Sequence, residues 1–356
     1  MNFKKILVIN PGSTSTKIAI YEGEKPVFLK NLHHENEDLE KLSTIDDQFS
    51  FRKNIIIDEI DKAGFSINSI DLVVSRGGLL RPIESGIYKV NEKMIHDLKT
   101  SKRQHASNLG ALIANEITKL KPGLEAYIAD PVVVDELQDI ARYSGHPNFK
   151  RISVFHALNQ KAIARSYARS LGEDYENLNL IIIHMGGGIS VGAHKKGKVI
   201  DVNQALDGEG PFSPERSGTL PIGDVVKAAF SGEYTQNDMM KMIVGRGGMT
   251  AYMGTNDAYK IELEALKGNK EAEMVYKAMA YQVAKEIGAM ATVLKGKIDG
   301  IILTGGLAKS DYLNNYIKNQ ISFLGKVTVF PGEDEMRSLA LNGNLLLNGE
   351  IENKEY

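Results

Sequence analysis

Two short segments combine the residue types that bind phosphate oxygens. Residues 10–17 read Asn-Pro-Gly-Ser-Thr-Ser-Thr-Lys, and residues 184–188 read His-Met-Gly-Gly-Gly. A tight turn rich in glycine and hydroxyl side chains presents backbone N–H groups and O–H donors together, which suits phosphate. Considered alone, the first segment is equally typical of an ordinary hairpin with a polar turn. The candidate phosphate-binding residues are Ser13, Thr14, Ser15, Thr16, Lys17, His184, Gly186, Gly187 and Gly188.

The elements that must position these segments repeat along the chain. An apolar run precedes each segment and a second strand-like run follows it, which predicts β-hairpins over residues 6–21 and 181–197. Two glycines of the first hairpin recur at the same spacing in the second, and Asn10 then aligns with His184. The second copy favours phosphate binding over an ordinary turn.

A second pair of segments repeats without a gap. Residues 70–79 align with residues 298–307, and each run predicts a buried strand that ends in a Gly-Gly pair, Gly305 and Gly306 in the second copy. Glycines after a strand allow a ligand to approach the backbone closely. Because internal repeats decide the architecture of a chain, we predict two duplicated α/β halves.

The length of 356 residues agrees with two domains. We place the first at residues 1–150, with a C-terminal helix over 336–356 packing back on it, and the second at 151–335. A hinge is expected near Lys150.

The composition excludes several classes of protein. A net charge of −2 gives no electrostatic argument for binding nucleic acid or an anionic membrane, and we expect neither partner. Since the chain has no cysteine, disulfides, thiolate nucleophiles and cysteine-based metal sites are excluded, which agrees with a cytoplasmic location. The N-terminal apolar run is too short for a signal peptide or a membrane span.

Two further residues lie where predicted strands end. Asp130 follows a strand over 126–129, a position typical of ligand-binding residues in α/β proteins, although it could equally cap a helix. His156 lies between a strand predicted over 151–155 and a helix over 157–171, and a helix N-terminus favours anions.

An irregular loop and an acidic segment complete the set of candidates. Arg216 lies in the Gly- and Pro-rich loop 207–221, and arginine binds phosphate in a bidentate manner. Glu333 and Glu335 precede the last predicted helix. They could serve the helix dipole or hold Mg²⁺.

Taken in order over essentially the whole chain, these motifs resemble those of the short-chain acyl kinases, the family of acetate, propionate and butyrate kinases. The resemblance implies two duplicated actin-like (ribonuclease H-like) ATPase domains with a nucleotide cleft between them. It implies reversible, ATP-dependent phosphorylation of a short-chain carboxylic acid to an acyl phosphate, with ATP/ADP and Mg²⁺ as cofactors. Family members form dimers, so a homo-oligomer (dimer or higher) is expected.

The resemblance also assigns roles to residues. Arg76, or alternatively Arg81, corresponds to an arginine that binds the carboxylate. His105, with Asn108, and Phe155 correspond to substrate-binding positions. Gly305 and Gly306 resemble the adenosine-binding turn, and Glu335, favoured over Glu333, the magnesium-associated acid. The implied catalytic residues are Asn10, Arg76, Asp130, His156 and Arg216, with Asn10 also near the metal.

Details of the motifs favour butyrate, or a branched acid of similar length, over acetate. The second loop reads His-Met-Gly-Gly-Gly rather than His-Leu-Gly-Asn-Gly, and Arg76 directly precedes its Gly-Gly pair. Three alternatives stay open: an acetate or propionate kinase, an actin-like ATPase that is not a kinase, and a sugar kinase that would use Asp130 as its base.

Overall fold

The computed structural model describes residues 4–12, 15–34, 42, 45–101, 106–332 and 334–356. The predicted site residues Ser13, Thr14, His105 and Glu333 lie outside the described residues. The chain forms two compact units, one made of Met1–Val134 and Asp334–Tyr356 and the other of Asp135–Glu333.

Each unit is built on one β-sheet. The strands of the first unit are β1 (Lys5–Pro11), β2 (Ser15–Glu22), β3 (Lys25–His33), β4 (Leu72–Arg76), β5 (Ile87–Lys89) and β6 (Ala126–Ala129). Those of the second unit are β7 (Asn179–Met185), β8 (Ile189–Lys195), β9 (Lys198–Val202), β10 (Gly300–Gly305) and β11 (Val327–Pro331).

The two sheets share one strand order. The first runs β3-β2-β1-β4-β6-β5 and the second, read in the same sense, β9-β8-β7-β10-β11. In each, three antiparallel strands are followed by two strands that pair in parallel, and the first sheet adds β5, antiparallel to β6, at its edge. The internal repeat predicted from the sequence is therefore a repeat of topology, and the prediction of two duplicated α/β halves is confirmed.

Helices connect and cover the strands. Those of the first unit are α1 (Ile45–Lys62), α2 (Glu92–Thr100), α3 (Leu109–Thr118) and, at the end of the chain, α11 (Glu335–Leu347). Those of the second are α4 (Ala157–Leu171), α5 (Ile222–Ala229), α6 (Gln236–Ile243), α7 (Met249–Met253), α8 (Ala258–Leu266), α9 (Lys270–Val293) and α10 (Asp311–Ile321). Across the described ranges, no helix combines the length and apolar content needed to cross a membrane.

Alternate residues of the central strands face different helices, because successive side chains of a strand point to opposite faces of the sheet. In β1, Leu7 and Ile9 join the core that contains α1 and α3. A Cβ at Gly343 of α11 would lie 3.1 Å from Ile6 and 2.9 Å from Val74, so the absence of a side chain there lets α11 pack closely on the sheet. Long apolar runs such as residues 6–9 follow from this burial on both faces.

The segment 151–155 was predicted as a strand, and this prediction is wrong. Its backbone forms hydrogen bonds with irregular segments and not with a neighbouring strand. The N–H of Arg151 donates to the carbonyl of Arg142, and the carbonyl of Val154 accepts from the N–H of Ala205. The segment before it belongs by its contacts to the second unit, where the N–H of Gln138 donates to the carbonyl of Ile200. The predicted boundary at residue 150 therefore lies within that unit.

Candidate active site

The parallel strands of the first unit bring three predicted residues to one edge of the sheet. Strand β4 pairs in parallel with β1, where Ser75 lies opposite Ile9, and with β6, where Arg76 lies opposite Ala129. Asn10, Arg76 and Asp130 therefore stand at or beside the carboxyl ends of neighbouring strands, where ligands bind in sheets of this type.

Glu335, the first residue of α11, joins two of these side chains. Its Oε2 accepts a hydrogen bond of 2.6 Å from Nδ2 of Asn10 and forms an ion pair of 3.2 Å with Nη1 of Arg76. All three side chains belong to the first unit. The alternative candidate Arg81 lies elsewhere, with its guanidinium 4.5 Å from the ring centroid of Tyr356. Geometry thus groups Arg76, rather than Arg81, with Asn10 and Glu335.

Asp130 is held in an unusual backbone conformation. Its φ of 37° is in the left-handed region, which aspartate tolerates better than most residues. The buried Oδ1 accepts hydrogen bonds from the Ser85 hydroxyl at 2.6 Å and the Gly86 N–H at 2.9 Å. No helix follows it, so the alternative prediction of a helix cap is wrong.

A buried arginine, which sequence reasoning missed, holds the first phosphate-type loop. Nη1 of Arg52 donates to the carbonyls of Gly12 (2.8 Å) and Ser15 (3.0 Å) and to the hydroxyl of Thr16 (3.0 Å). Burial lowers the pKa of Arg52 to about 10, which leaves it charged at neutral pH. Lys17 is exposed. Arg52 lies in α1, and no sequence pattern indicated its contact with the loop.

The second unit stacks two of the predicted histidines. The rings of His156 and His184 have centroids 3.9 Å apart and planes inclined by 11°. His184 occupies in β7 the place that Asn10 has in β1, paired across the hairpin with Ser190 where Asn10 pairs with Lys17. Nδ1 of His156 lies 2.9 Å from the Ser190 hydroxyl. Ser190 is a site residue that sequence reasoning missed, although it lies two residues after the second glycine loop.

Arg216 packs against the same glycine loop. Its Nη1 donates to the carbonyl of Ala205 at 2.6 Å. A Cβ at Gly188 would lie 2.6 Å from the guanidinium carbon of Arg216, so only glycine leaves room for this arrangement. The loop and the arginine, both predicted from the sequence, are thus in direct contact.

The Gly-Gly turn after β10 lines a cavity of about 470 Å³. Gly305 has a φ of 93°, and a Cβ there would overlap the carbonyl oxygen of Met185 and lie 2.7 Å from its carbonyl carbon, so this turn requires glycine. The next residue, Gly306, is exposed to the cavity, whose lining includes Gly187, Asn256, Asp257, Tyr259, Gly306 and Lys309. The size and the mixture of backbone and polar groups suit a nucleoside.

Phe155, predicted to contact substrate, is only 2% exposed. It lies directly before His156 and outside any strand. Its contact with substrate stays a prediction.

The donor atoms around Glu335 suit a magnesium ion carried by a nucleotide. In the part of the chain that the structure describes, no three His, Asp or Glu side chains come together as a metal cage. Magnesium is usually held by one or two carboxylates, with waters and substrate phosphates as the other ligands. Because Oε2 of Glu335 contacts Asn10 Nδ2 and Arg76, the atoms that match such a partial donor set are Oε1 of Glu335 and the amide oxygen of Asn10.

The comparisons with known proteins agree on one family. The model described as "Acetokinase family" matches residues 146–330. "Butyrate kinase 2" and "Butyrate kinase 1" of Clostridium acetobutylicum are 55% and 54% identical to this chain over 353 residues, which is 99% of this chain and 99% of each relative.

Solved structures show the same fold at low identity. An acetate kinase of Porphyromonas gingivalis has a TM-score of 0.79 and 19% identity, covering 96% of this chain and all of the other. A propionate kinase of Francisella tularensis has a TM-score of 0.76 and 18% identity, covering 95% of this chain and 98% of the other.

Proposed function

The chain belongs to the acetokinase family, as its motifs predicted, and we propose that it transfers the terminal phosphoryl group of ATP reversibly to the carboxylate of a short-chain fatty acid. Butyrate, or a branched acid of similar length, is the proposed acceptor, because relatives that are 51–55% identical over nearly the full chain are named as butyrate kinases. The observation that carries the proposal is the packing of Arg216 on Gly188, in the glycine loop that directly follows His184, whose ring stacks on His156.

The proposed chemistry needs positioned charges and no general base. A fatty acid is ionised at neutral pH, so its oxygen can attack phosphorus without losing a proton. The attacking carboxylate and the triphosphate repel each other, and catalysis must offset that repulsion by electrostatic stabilisation. We assign Arg76 and Arg216 to the carboxylate and phosphoryl oxygens, and His156 to a hydrogen bond with the phosphoryl group in the transition state.

The remaining groups are assigned to the nucleotide. The two glycine-containing loops would bind phosphates, and the cavity beside Gly306 would take the adenosine. Asn10, Asp130 and Glu335 would hold Mg²⁺ directly or through water. When bound, magnesium would neutralise charge on the phosphates, as in other phosphoryl transfers.

Chain-length selection is expected to be modest. One methylene group in an apolar pocket is worth only about 1–3 kcal/mol of discrimination. We therefore propose activity on neighbouring acids as well, with butyrate or isobutyrate preferred.

Trapping the acyl phosphate with hydroxylamine tests the function. The enzyme is incubated with ATP, Mg²⁺ and each of acetate, propionate, butyrate, isobutyrate and valerate. Glucose is tested as a further acceptor by release of ADP, because a sugar phosphate does not react with hydroxylamine. The highest kcat/KM should be found with a four-carbon acid. A preference for acetate would overturn the butyrate assignment, and phosphorylation of glucose without any acyl phosphate would overturn the acyl kinase assignment.

We also propose a cytoplasmic homo-oligomer. Helix α5 buries none of its residues, and Ile222 and Phe230 at its two ends are 79% and 87% exposed. Exposed apolar patches of this kind mark association surfaces. Light scattering after size-exclusion chromatography measures the mass, and a monomer of 39.2 kDa would refute the oligomer.

A further inference from the structure

A chain of buried polar side chains leads from His156 into the interior of the second unit. It passes through Ser190, Gln160 and His194 to Tyr175, and these four residues are at most 3% exposed. Each link is a hydrogen bond between 2.7 and 2.9 Å long. Sequence reasoning identified only His156 among the five.

A backbone carbonyl fixes the direction of the chain. Nε2 of Gln160 lies 3.1 Å from the carbonyl oxygen of Ser190, which can only accept, so this end of the Gln160 amide must be the NH₂ group. The same nitrogen lies 2.8 Å from the Ser190 hydroxyl and donates its second proton there. The amide oxygen of Gln160 therefore points the other way, towards His194.

The hydrogen bonds of His194, at the interior end of this chain of side chains, have the same donor-to-acceptor direction. Nε2 of His194 lies 2.9 Å from the amide oxygen of Gln160 and must carry a proton to donate. Burial, and secondarily the charge of Lys161, holds the pKa of His194 well below its usual value, so its Nδ1 is unprotonated and accepts from the Tyr175 hydroxyl at 2.7 Å. The side chains are closely packed at this point. A Cβ at Gly192 would lie 2.5 Å from the Gln160 amide oxygen, so residue 192 must be glycine to leave Gln160 in place.

At the other end of this chain of side chains, Ser190 determines which nitrogen of His156 carries the proton. The described partners of the Ser190 hydroxyl are the Gln160 nitrogen, which can only donate, and Nδ1 of His156 at 2.9 Å, so of these two only His156 can accept the hydroxyl proton. A neutral imidazole whose Nδ1 accepts has its proton on Nε2. We propose that Ser190, Gln160 and His194 are positioning residues that hold His156 with its proton on Nε2, the atom from which it would donate to the phosphoryl group.

This inference rests on the proposed function for its purpose, but its structural content can be measured without turnover. Heteronuclear NMR of the full-length protein, with ring-labelled histidine, reports which nitrogen of His156 is protonated near neutral pH. The variant His156→Gln assigns the signals. We expect a proton on Nε2 in the wild type, and a mixture of tautomers in Ser190→Ala and in Gln160→Met.

The matched control is Tyr167→Phe. It removes a hydroxyl from a side chain that is 3% exposed, as Tyr175 is, in the same unit, but that hydroxyl donates to the carbonyl of Asp299 and not to the chain described above. The control should leave the His156 spectrum unchanged. A wild-type proton on Nδ1, or an unchanged tautomer in both Ser190→Ala and Gln160→Met, would overturn the inference.

Kinetics separate positioning from folding. Ser190→Ala should lower kcat by about 10–100-fold, less than the loss of roughly 10²–10³ that follows complete removal of a preorganised donor, while KM for ATP stays unchanged. Ser190→Thr retains the hydroxyl and should have a kcat close to that of the wild type. If the wild type forms no acyl phosphate, the proposed function fails, while the NMR result still decides the tautomer.

Discussion

Replacing Gly188 by alanine tests whether the position of Arg216 determines the rate of phosphoryl transfer. A Cβ at residue 188 would lie 2.6 Å from the guanidinium carbon, and the three nearest atoms all belong to Arg216. Gly188 is not among the glycines with positive φ, so alanine introduces no backbone strain there. The expected response is a shift of the guanidinium, which is the flexible end of its side chain.

The size of that shift follows from the packing. Nonbonded carbon atoms prefer separations of about 3.5–4.0 Å, so the guanidinium carbon must move by roughly 1–1.5 Å. Nη1 would lie closer still to the new Cβ and must move further, so its bond to Ala205 is lost or lengthened. A misplacement of about 1 Å can cost on the order of 10² in rate. We expect kcat to fall by at least about 100-fold, equivalent to about 3 kcal/mol of transition-state stabilisation, while the free energy of unfolding falls by about 1–3 kcal/mol, the usual cost of adding a methyl group to a packed position.

The assay is the initial rate of acyl phosphate formation, combined with urea unfolding. Gly223→Ala is the control, because no atom lies within 4 Å of a Cβ at that position. The double variant Gly188→Ala/Arg216→Ala should be no slower than Arg216→Ala alone, because both changes act through one group. Near wild-type turnover of Gly188→Ala, or additive losses in the double variant, would refute the reasoning.

Three substitutions test ionisable groups whose pKa is shifted by burial, two of them buried and Glu286 partly buried. Arg52→Met should lower the unfolding free energy in urea by at least about 2 kcal/mol and raise KM for ATP, because three hydrogen bonds to the first loop are lost. Burial lowers the pKa of His34 to about 4, so wild-type stability should fall as pH drops from 6.5 towards 4, by at most about 3 kcal/mol, and His34→Gln should remove this dependence. Burial raises the pKa of Glu286 above its ordinary value of 4.5. The protonated side chain therefore contributes free energy of unfolding that is fully present below pH 4.5 and is lost as the pH rises through the raised pKa. Glu286→Gln should therefore raise Tm more at neutral than at acidic pH.

Each of these has a matched comparison. Arg52→Lys keeps the positive charge but loses the planar guanidinium with its several N–H donors. It should therefore retain only part of the free energy of unfolding that Arg52→Met loses. The exposed neighbour His33 and the exposed Glu271 serve as controls for the two pH experiments. Equal pH dependence in His34→Gln and the wild type, or an equal gain in Tm at both pH values for Glu286→Gln, would contradict the respective argument.

Local patterns predicted those elements whose own residues decide their structure. Helix α4 was predicted with its observed bounds, because its apolar residues recur at helical spacing and Gly172 ends it with a φ of 71°. Helix α2 was missed although Asn91 caps it and Met94 and Leu98 are buried on one face, so its signal was present. The strand predicted over 151–155 failed because an apolar run does not specify a hydrogen-bonding partner.

The candidate site divides in the same way. Motif residues at strand ends, such as Asn10, Arg76 and His184, could be located from the sequence because the repeat fixes the topology. Arg52 and Gln160 could not, because their side chains contact segments that are distant along the chain, the first loop and strand β8 respectively. Nothing in the local sequence indicates which backbone oxygen a buried side chain will meet in the folded protein.

The first unit consists of two stretches of chain separated by the whole of the second. During synthesis, β1 and β4 leave the ribosome long before α11, which covers one face of their sheet and supplies Glu335. The nascent first unit thus lacks both a face of its core and the carboxylate that pairs with Arg76. The second unit, which is continuous, can complete its fold earlier. The order of synthesis therefore leaves the sheet of the first unit without its Asn10–Arg76–Glu335 contacts until the last helix has docked.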